Sequence, residues 1–330
     1  MCGTHGGAPQ PPLMIQKMMI NLVCYNMDRN ANVRGRVAHR LSSAREASVM
    51  RGLRILCSLL CGLLISAGAA AAEEQLSITE ETPYVQSGMI VVTTMLEMAG
   101  VRAKDFVMDL GSGDGRIVIE AAKQYGARGL GVDYDPRLVK LATANAAKAG
   151  VSDHVSFVEQ DIFKTDLGAA TVVTMYLLPE YNLALRPRLL ALKAGTRIVS
   201  HDWGFGDWHA DAETTVPVPD KPVEVRKSST IRLFIVPAKV EGRWRSRLAP
   251  GGREVRFELQ QKFQEVSGTA VIGGRSLPIE RVLLRGEFLS FRVQEGKRTL
   301  RFNGYVSAGR ITGQLGLDDQ SYRWRALRMP

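Results

Sequence analysis

Glycine and carboxylate residues concentrate at Asp109-Leu-Gly111-Ser112-Gly113-Asp-Gly115 in the 330-residue sequence. Glycines let a backbone turn through positive φ and come close to a ligand with no Cβ in the way. The run follows the apolar stretch Phe106-Val-Met-Asp-Leu and precedes 116–125, where Ile117, Ile119, Ala121 and Ala122 sit at helical spacing. The bend therefore lies where a strand hands over to a helix, the place at which a doubly wound sheet binds nucleotides. Asp133 stands eighteen residues past Gly115, at the end of Gly129-Leu-Gly-Val-Asp, from where a carboxylate can accept both hydroxyls of a ribose. Asp161 and Ile162 follow a third apolar stretch, His154-Val-Ser-Phe-Val. There a carboxylate can accept an adenine amino group while the Ile162 side chain packs on the ring. Three such positions at three successive strand ends are far harder to obtain by chance than a lone glycine motif. Asp114 and Asp135 read equally as ligands or as caps of the helices that follow them.

These residues need a scaffold, and the surrounding pattern supplies one. Pro136 opens a helix running to about Lys148, and Pro in a first turn costs nothing. A fourth strand is expected over 171–176, a helix over 180–192 and a fifth strand over 196–200. An amphipathic helix over 91–98 would cover the first strand, and 216–225 is expected to pair with 230–236 as an antiparallel edge. Strands alternating with helices predict a mostly parallel, doubly wound α/β sheet of Rossmann-like type with both faces covered.

The stretch VMDLGSGDGR resembles the first motif of class I S-adenosylmethionine-dependent methyltransferases, and the similarity covers roughly 83–237. The resemblance implies S-adenosyl-L-methionine as cofactor. Its methionine portion would be held by Asp109, Gly111, Ser112, Gly113 and Gly115, its ribose by Asp133, and its adenine by Asp161 with Ile162. The Gly-x-Gly-x-Gly spacing, with an acid two positions before the first Gly, differs from the Gly-x-Gly-x-x-Gly of nicotinamide enzymes. Carboxylates at 109 and 114 would repel a pyrophosphate but attract a sulfonium nucleoside. More narrowly, TPYVQSG followed by DLGSGDGRIVIEAA is similar to small bacterial and mitochondrial protein-lysine methyltransferases, some acting on small membrane proteins. That similarity implies Tyr84 over the cofactor and a protein lysine, or another amine or small molecule, as methyl acceptor.

Methyl transfer is an in-line displacement, so the protein mainly aligns the acceptor and excludes water. After the fourth strand the chain reads Met175-Tyr176-Leu-Leu-Pro-Glu180 rather than the Asn-Pro-Pro-Tyr of many enzymes acting on amide or ring nitrogens, which argues against a nucleic-acid acceptor. Tyr176 would line the methyl channel and Glu180 orient an amine. Alternatively, Tyr176 is core and Glu180 caps the next helix. His201, after the fifth strand, is a candidate general base because free imidazole titrates near neutrality, or else a structural histidine.

Charge is unevenly spread. Residues 1–72 hold 8 basic and 2 acidic groups, 73–237 hold 17 and 22, and 238–330 hold 18 and 9. The basic last third either contacts an anionic surface such as lipid headgroups or is simply solvated. It reads as eight short alternating runs from Val240 to Leu327, a meander closing as a small barrel or sandwich. Its Gly242-Arg-Trp244 and Arg323-Trp-Arg resemble, loosely, the closing pair of lipocalin-like domains. The four cysteines all precede residue 62 and show no metal-ligand spacing.

Residues 50–72 combine a basic start, an apolar run and small residues, the parts of a signal peptide or membrane anchor. Residues 1–49 are expected to be a disordered extension upstream of a true start at Met50. The expected organisation is thus a leader, a methyltransferase domain at 76–237 and a β domain at 238–330. The chain would be exported, periplasmic or membrane-anchored, or cytoplasmic if the leader is not functional. A rival reading is an envelope binding protein with a non-catalytic nucleoside crevice and a β domain for ligand or partner docking.

Overall fold

The computed structural model describes residues 84–221, 227–249 and 251–330. The segments read above as an upstream extension, 1–49, and as a signal peptide or membrane anchor, 50–72, lie outside the described residues. The first helix, α1 (Met89–Ala99), ends in Gly100 at φ 57°. Strand β1 (Phe106–Leu110) then leads through the glycine bend into α2 (Arg116–Tyr125). Next come β2 (Arg128–Asp133), α3 (Pro136–Ala149) and β3 (Val155–Glu159). Asp135 caps α3 by accepting from the Arg137 amide, with Pro136 in the first turn, which is the capping role offered for it above. Strand β4 (Val172–Met175), α4 (Pro179–Leu190) and β5 (Arg197–His201) complete the alternation.

The sheet runs β3-β2-β1-β4-β5, all parallel, and is extended by β7 (Ser228–Ile235) and β6 (Ala212–Pro217). β7 pairs antiparallel with both β5 and β6. The edge strand thus lies at 212–217, overlapping the expected 216–225 at 216–217, and residues 222–225 of that expectation lie outside the described residues. Its outward pattern is mostly exposed, and Ala212-Glu-Thr-Thr carries little apolar signal.

Neighbouring residues on the inner strands feed opposite cores, which is why those strands read as continuous apolar runs. Val107, Val172 and Val199 meet α1 through Val92, Met95 and Leu96. Met108, Val173 and Ile198 belong to a second cluster with Leu185 and Leu189 of α4 and with Phe205, Trp208 and Phe234.

Eight further strands form a closed antiparallel barrel. They are β8 (Gly242–Leu248), β9 (Arg253–Lys262), β10 (Glu265–Ile272), β11 (Arg275–Arg285), β12 (Phe288–Glu295), β13 (Arg298–Ser307), β14 (Arg310–Leu317) and β15 (Gln320–Arg328). Closure leaves no sheet edge to pair with another chain. Phe257, Phe291, Phe302 and Trp324 fill the interior, their centroids 4.9–6.2 Å apart in mostly edge-to-face pairs.

The two parts meet at two turns. Gly286, between β11 and β12, accepts from the Ala238 amide, and a Cβ on it would come within 3.1 Å of the Gly195 backbone. The β9–β10 turn inserts Phe263 beside Trp208, ring centroids 6.0 Å apart, and His209 pairs with Glu265 at 2.9 Å. Among the described residues no helix is long and apolar enough to cross a membrane.

Candidate active site

The glycine bend is built by the ends of β1 and β2. The Gly111 and Ser112 amides both donate to the Val132 carbonyl at 2.9 Å, and Gly115 donates to the Ser112 carbonyl. Gly113 and Gly115 have φ of 54° and 79°, a region costly for residues with a Cβ. Space is as restrictive as conformation. A Cβ on Gly113 would meet the Tyr84 ring at 2.5 Å, and one on Gly115 would meet Phe157 at 2.6 Å. Tyr84 therefore lies across the bend, and its hydroxyl accepts from Gln86 at 2.8 Å.

Four carboxylates surround this loop, each held differently. Asp133 accepts from the Gly113 amide at 2.7 Å on one oxygen and from the Asp135 amide at 3.0 Å on the other. Each oxygen keeps a lone pair that can accept a further hydroxyl. Asp109 is buried beneath the bend and accepts from Thr174 at 2.7 Å. Its pKa is pushed up to about 7, chiefly by burial and further by the charges of Asp133 and Asp114, against the pull of the Thr174 hydroxyl. Burial also works against ionisation of Asp114, but the Arg116 guanidinium, at 2.6 Å, outweighs it and holds that carboxyl below its usual range. Arg116 in turn donates to the Ser87 carbonyl at 2.7 Å, tying the segment before α1 to the bend. Asp161 folds back on its own chain, accepting from the Phe163 amide at 2.8 Å, with Lys164 at 3.6 Å from its other oxygen. The Gln160 amide donates to the Asp133 carbonyl, so the tips of β2 and β3 are joined. Ile162 is partly buried against the α4-side core.

The structure thus gathers Tyr84, Asp109, Gly111, Ser112, Gly113, Gly115 and Asp133 around one bend and sets Asp161 and Ile162 at the adjoining strand tip. A sulfonium nucleoside fits these residues. The Ser112 hydroxyl is buried without a hydrogen-bond partner, the glycines leave room for close approach, and the charge is predominantly acidic.

Beside the bend, at the tips of β4 and β5, lies a cavity of about 240 Å³. Val85, Met89, Ile90 and Val218 supply its apolar lining, Gln86, Asp220, Lys221 and Ser229 its polar lining, and Tyr176 and His201 lie against each other in its wall. Tyr176 stacks on His201 at 3.8 Å between centroids. Glu180 sits exposed in the first turn of α4, neither lining this cavity nor capping the helix through its side chain.

His201 meets a physical obstacle as a general base. Its Nδ1 lies 3.0 Å from the Ser87 hydroxyl and its Nε2 2.8 Å from that of Ser229. Burial pushes its pKa down to about 4, with Lys221 acting in the same sense and Asp202 opposing. The imidazole is a neutral bracket joining the α1 approach to β5 and β7.

Several partners in this region were not visible in the sequence. Thr174 sits 65 residues from the carboxylate it satisfies, and the buried Lys221–Asp202 pair at 2.7 Å joins a loop to the end of β5. Only Arg116, immediately after the glycine motif, carried a local signal, as a cation next to Asp114.

The chain is similar to known proteins. The family described as the ANTKMT methyltransferase domain matches residues 109–212. A protein-lysine N-methyltransferase from Saccharolobus islandicus (strain REY15A) is 43% identical over 136 residues, covering 41% of this chain and 84% of its own. The adenine nucleotide translocase lysine N-methyltransferase of Mus musculus is 37% identical over 130 residues, 39% of this chain and 56% of that one. A crystal structure of an RNA methyltransferase from Salinibacter ruber with S-adenosyl-L-homocysteine shares 46% identity, covers 47% of this chain and 96% of that chain, and superimposes with a TM-score of 0.43. Fold and site together define an S-adenosylmethionine-dependent methyltransferase, and the chain belongs to the protein-lysine N-methyltransferase family.

Proposed function

We propose that this chain methylates the side-chain amine of a protein lysine. The observation that carries the reading is the juxtaposition of the acidic glycine bend, through the Gln86–Asp114 hydrogen bond, with a cavity lined in part by apolar residues and by Tyr176 stacked on His201. When bound, S-adenosylmethionine supplies an electrophilic methyl group: the acceptor nitrogen's lone pair forms the new N–C bond as the S–C bond breaks, and sulfur leaves as a neutral thioether.

The chain's own residues have three tasks. Asp133, prepared by the Gly113 and Asp135 amides, accepts the ribose hydroxyls, and Asp161 with Ile162 receives the adenine. Val85, Met89 and Ile90 give the acceptor's methylene chain apolar contacts, and its entry among them disfavours the charged amine, because burial lowers a lysine's pKa. The ammonium proton therefore leaves to solvent as the side chain enters, and no strong base is required of His201. Tyr176, held flat by His201, flanks the path between amine and methyl.

Transfer of labelled methyl from S-adenosylmethionine into envelope and soluble protein fractions, followed by acid hydrolysis, tests this reading. Label recovered as methyl-lysine supports it. Label recovered only in RNA or in small molecules defeats it.

A further inference from the structure

The barrel's outer wall carries charge that the methyl-transfer site does not use. β8 and β15 pair with Leu327 opposite Arg245, and β15 pairs with β14 so that Arg310 lies opposite Leu327 and Thr312 opposite Arg325. Trp244, Ser246, Trp324, Ala326 and Ile311 point inward and are buried. The two-residue period of a strand then turns Arg245, Arg247, Arg323, Arg325 and Arg310 outward, and all five are exposed. Outward neighbours along a strand stand about 7 Å apart and adjacent strands about 5 Å, so the five guanidiniums share one face.

Among the described residues none of the five pairs with a carboxylate. The barrel's ion pairs engage other cations instead: Arg253 and Arg275 with Glu295, Arg256 with Glu254, and Arg298 with Asp318. Two apolar side chains stand out of the same face. Leu327 is 40% exposed amid the arginines, and Tyr305, opposite Thr312 on β13, is 63% exposed.

We propose that this face docks on the headgroups of an anionic lipid bilayer. Charge complementarity selects a polyanion, and the apolar residues decide which. Single-stranded nucleic acid is held by several aromatic platforms along a groove. Here the surface is the convex wall of a barrel, from which Leu327 projects among the arginines and Tyr305, edge-on to Phe288, projects two strands away. A leucine amid arginine stems, flanked by an aromatic pair, is instead what partitions at the boundary of headgroups and acyl chains. Each basic residue at such a surface strengthens binding about fivefold.

The test is co-sedimentation of the full chain with phosphatidylcholine vesicles and with vesicles that also contain phosphatidylglycerol. Residues 1–72 bring an apolar run and a basic excess of their own, so the readout is the part of the preference for anionic vesicles that the arginine substitutions remove. The wild type is expected to prefer them by more than about tenfold, with the preference collapsing at high salt. An R245Q/R310Q/R323Q/R325Q variant is expected to lose the preference, and the corresponding four lysine substitutions to keep most of it. Equal binding to both vesicles would overturn the proposal. So would a preference undiminished in the glutamine variant, or tighter binding to a single-stranded oligonucleotide than to anionic vesicles at the same salt.

Discussion

The sheet domain and the barrel place polarity in opposite ways. Among the described residues, the buried polar side chains belong to the sheet domain, Asp105, Asp109, Glu120, Asn182, His201 and Lys221 among them, whereas the barrel buries only Ser246. Buried polar groups cost free energy unless they are partnered; Asp109, Ser112 and Thr174 lie at the bend and His201, Lys221 and Ser229 around the cavity, whereas Asp105 is held at the far end of β1 by Arg197 and Thr171. The barrel keeps strict alternation, with Phe257, Phe291, Phe302 and Trp324 inside and arginines outside. Its interior leaves the aromatic cluster closely packed, which suits a rigid module that presents a surface rather than a ligand chamber. One part is thus built around a site, the other around a wall.

Substitutions in the two parts should therefore separate stability from binding. Trp324→Ala removes a buried side chain whose indole donates to the Asn303 carbonyl at 2.7 Å. The expected loss is about 3–5 kcal/mol of stability, read from chemical denaturation, with cofactor affinity of the folded fraction unchanged. Asp133→Ala should do the reverse. It removes the carboxylate proposed to accept the ribose hydroxyls together with the acceptor that holds the Gly113 amide, and is expected to weaken S-adenosylmethionine binding about a hundredfold or more in calorimetry. If Asp133→Ala bound the cofactor as tightly as wild type, the strand-tip cradle would be wrongly assigned. Phe263→Ala sharpens the comparison at the boundary. Its ring lies beside Trp208, with the Arg186 guanidinium 5.6 Å from its centre. Losing this contact should cost about 1–2 kcal/mol and split one unfolding transition into two, seen as non-coincident fluorescence and circular-dichroism curves.

The same contrast explains what could be read from the residues alone. The barrel's eight strands were legible because a period of two, punctuated by glycine turns, survives wherever one face is buried and the other is wet. It blurred at β11, where the register shifts between Glu280 and Leu283 and Arg281 takes φ 49°, so only 281–284 read as strand while the pairing extends over Arg275–Arg285. The glycine bend was equally legible, since Gly113 and Gly115 sit where a Cβ would clash and the chain has little alternative there. Thr174 under Asp109, Ser87 and Ser229 around His201, and Lys221 on Asp202 were not. Each joins segments that only the sheet's crossovers bring together, and nothing local to either partner announces the contact.

The smallest effect, and the finest probe of the comparison, is the response of stability to pH. Asp109, raised to about 7 from an ordinary value near 4, binds a proton in the fold that it lacks when unfolded, so through that window it makes stability fall as pH rises. His201, lowered to about 4 from 6.5, is neutral in the fold but protonated when unfolded, so its contribution is present above pH 6.5 and disappears as pH falls towards 4. The two slopes oppose each other between about pH 4 and 6.5, each at most about 1.4 kcal/mol per pH unit, and the wild type should be nearly flat across it. Asp109→Asn leaves the histidine alone, so stability should then climb with pH. His201→Gln leaves the aspartate alone, and stability should decline. Denaturation midpoints measured at several pH values across that window distinguish these slopes. The barrel adds no buried titratable group among the described residues, so variants with slopes of the same sign would mean that the charges beneath the glycine bend are not balanced as the geometry requires.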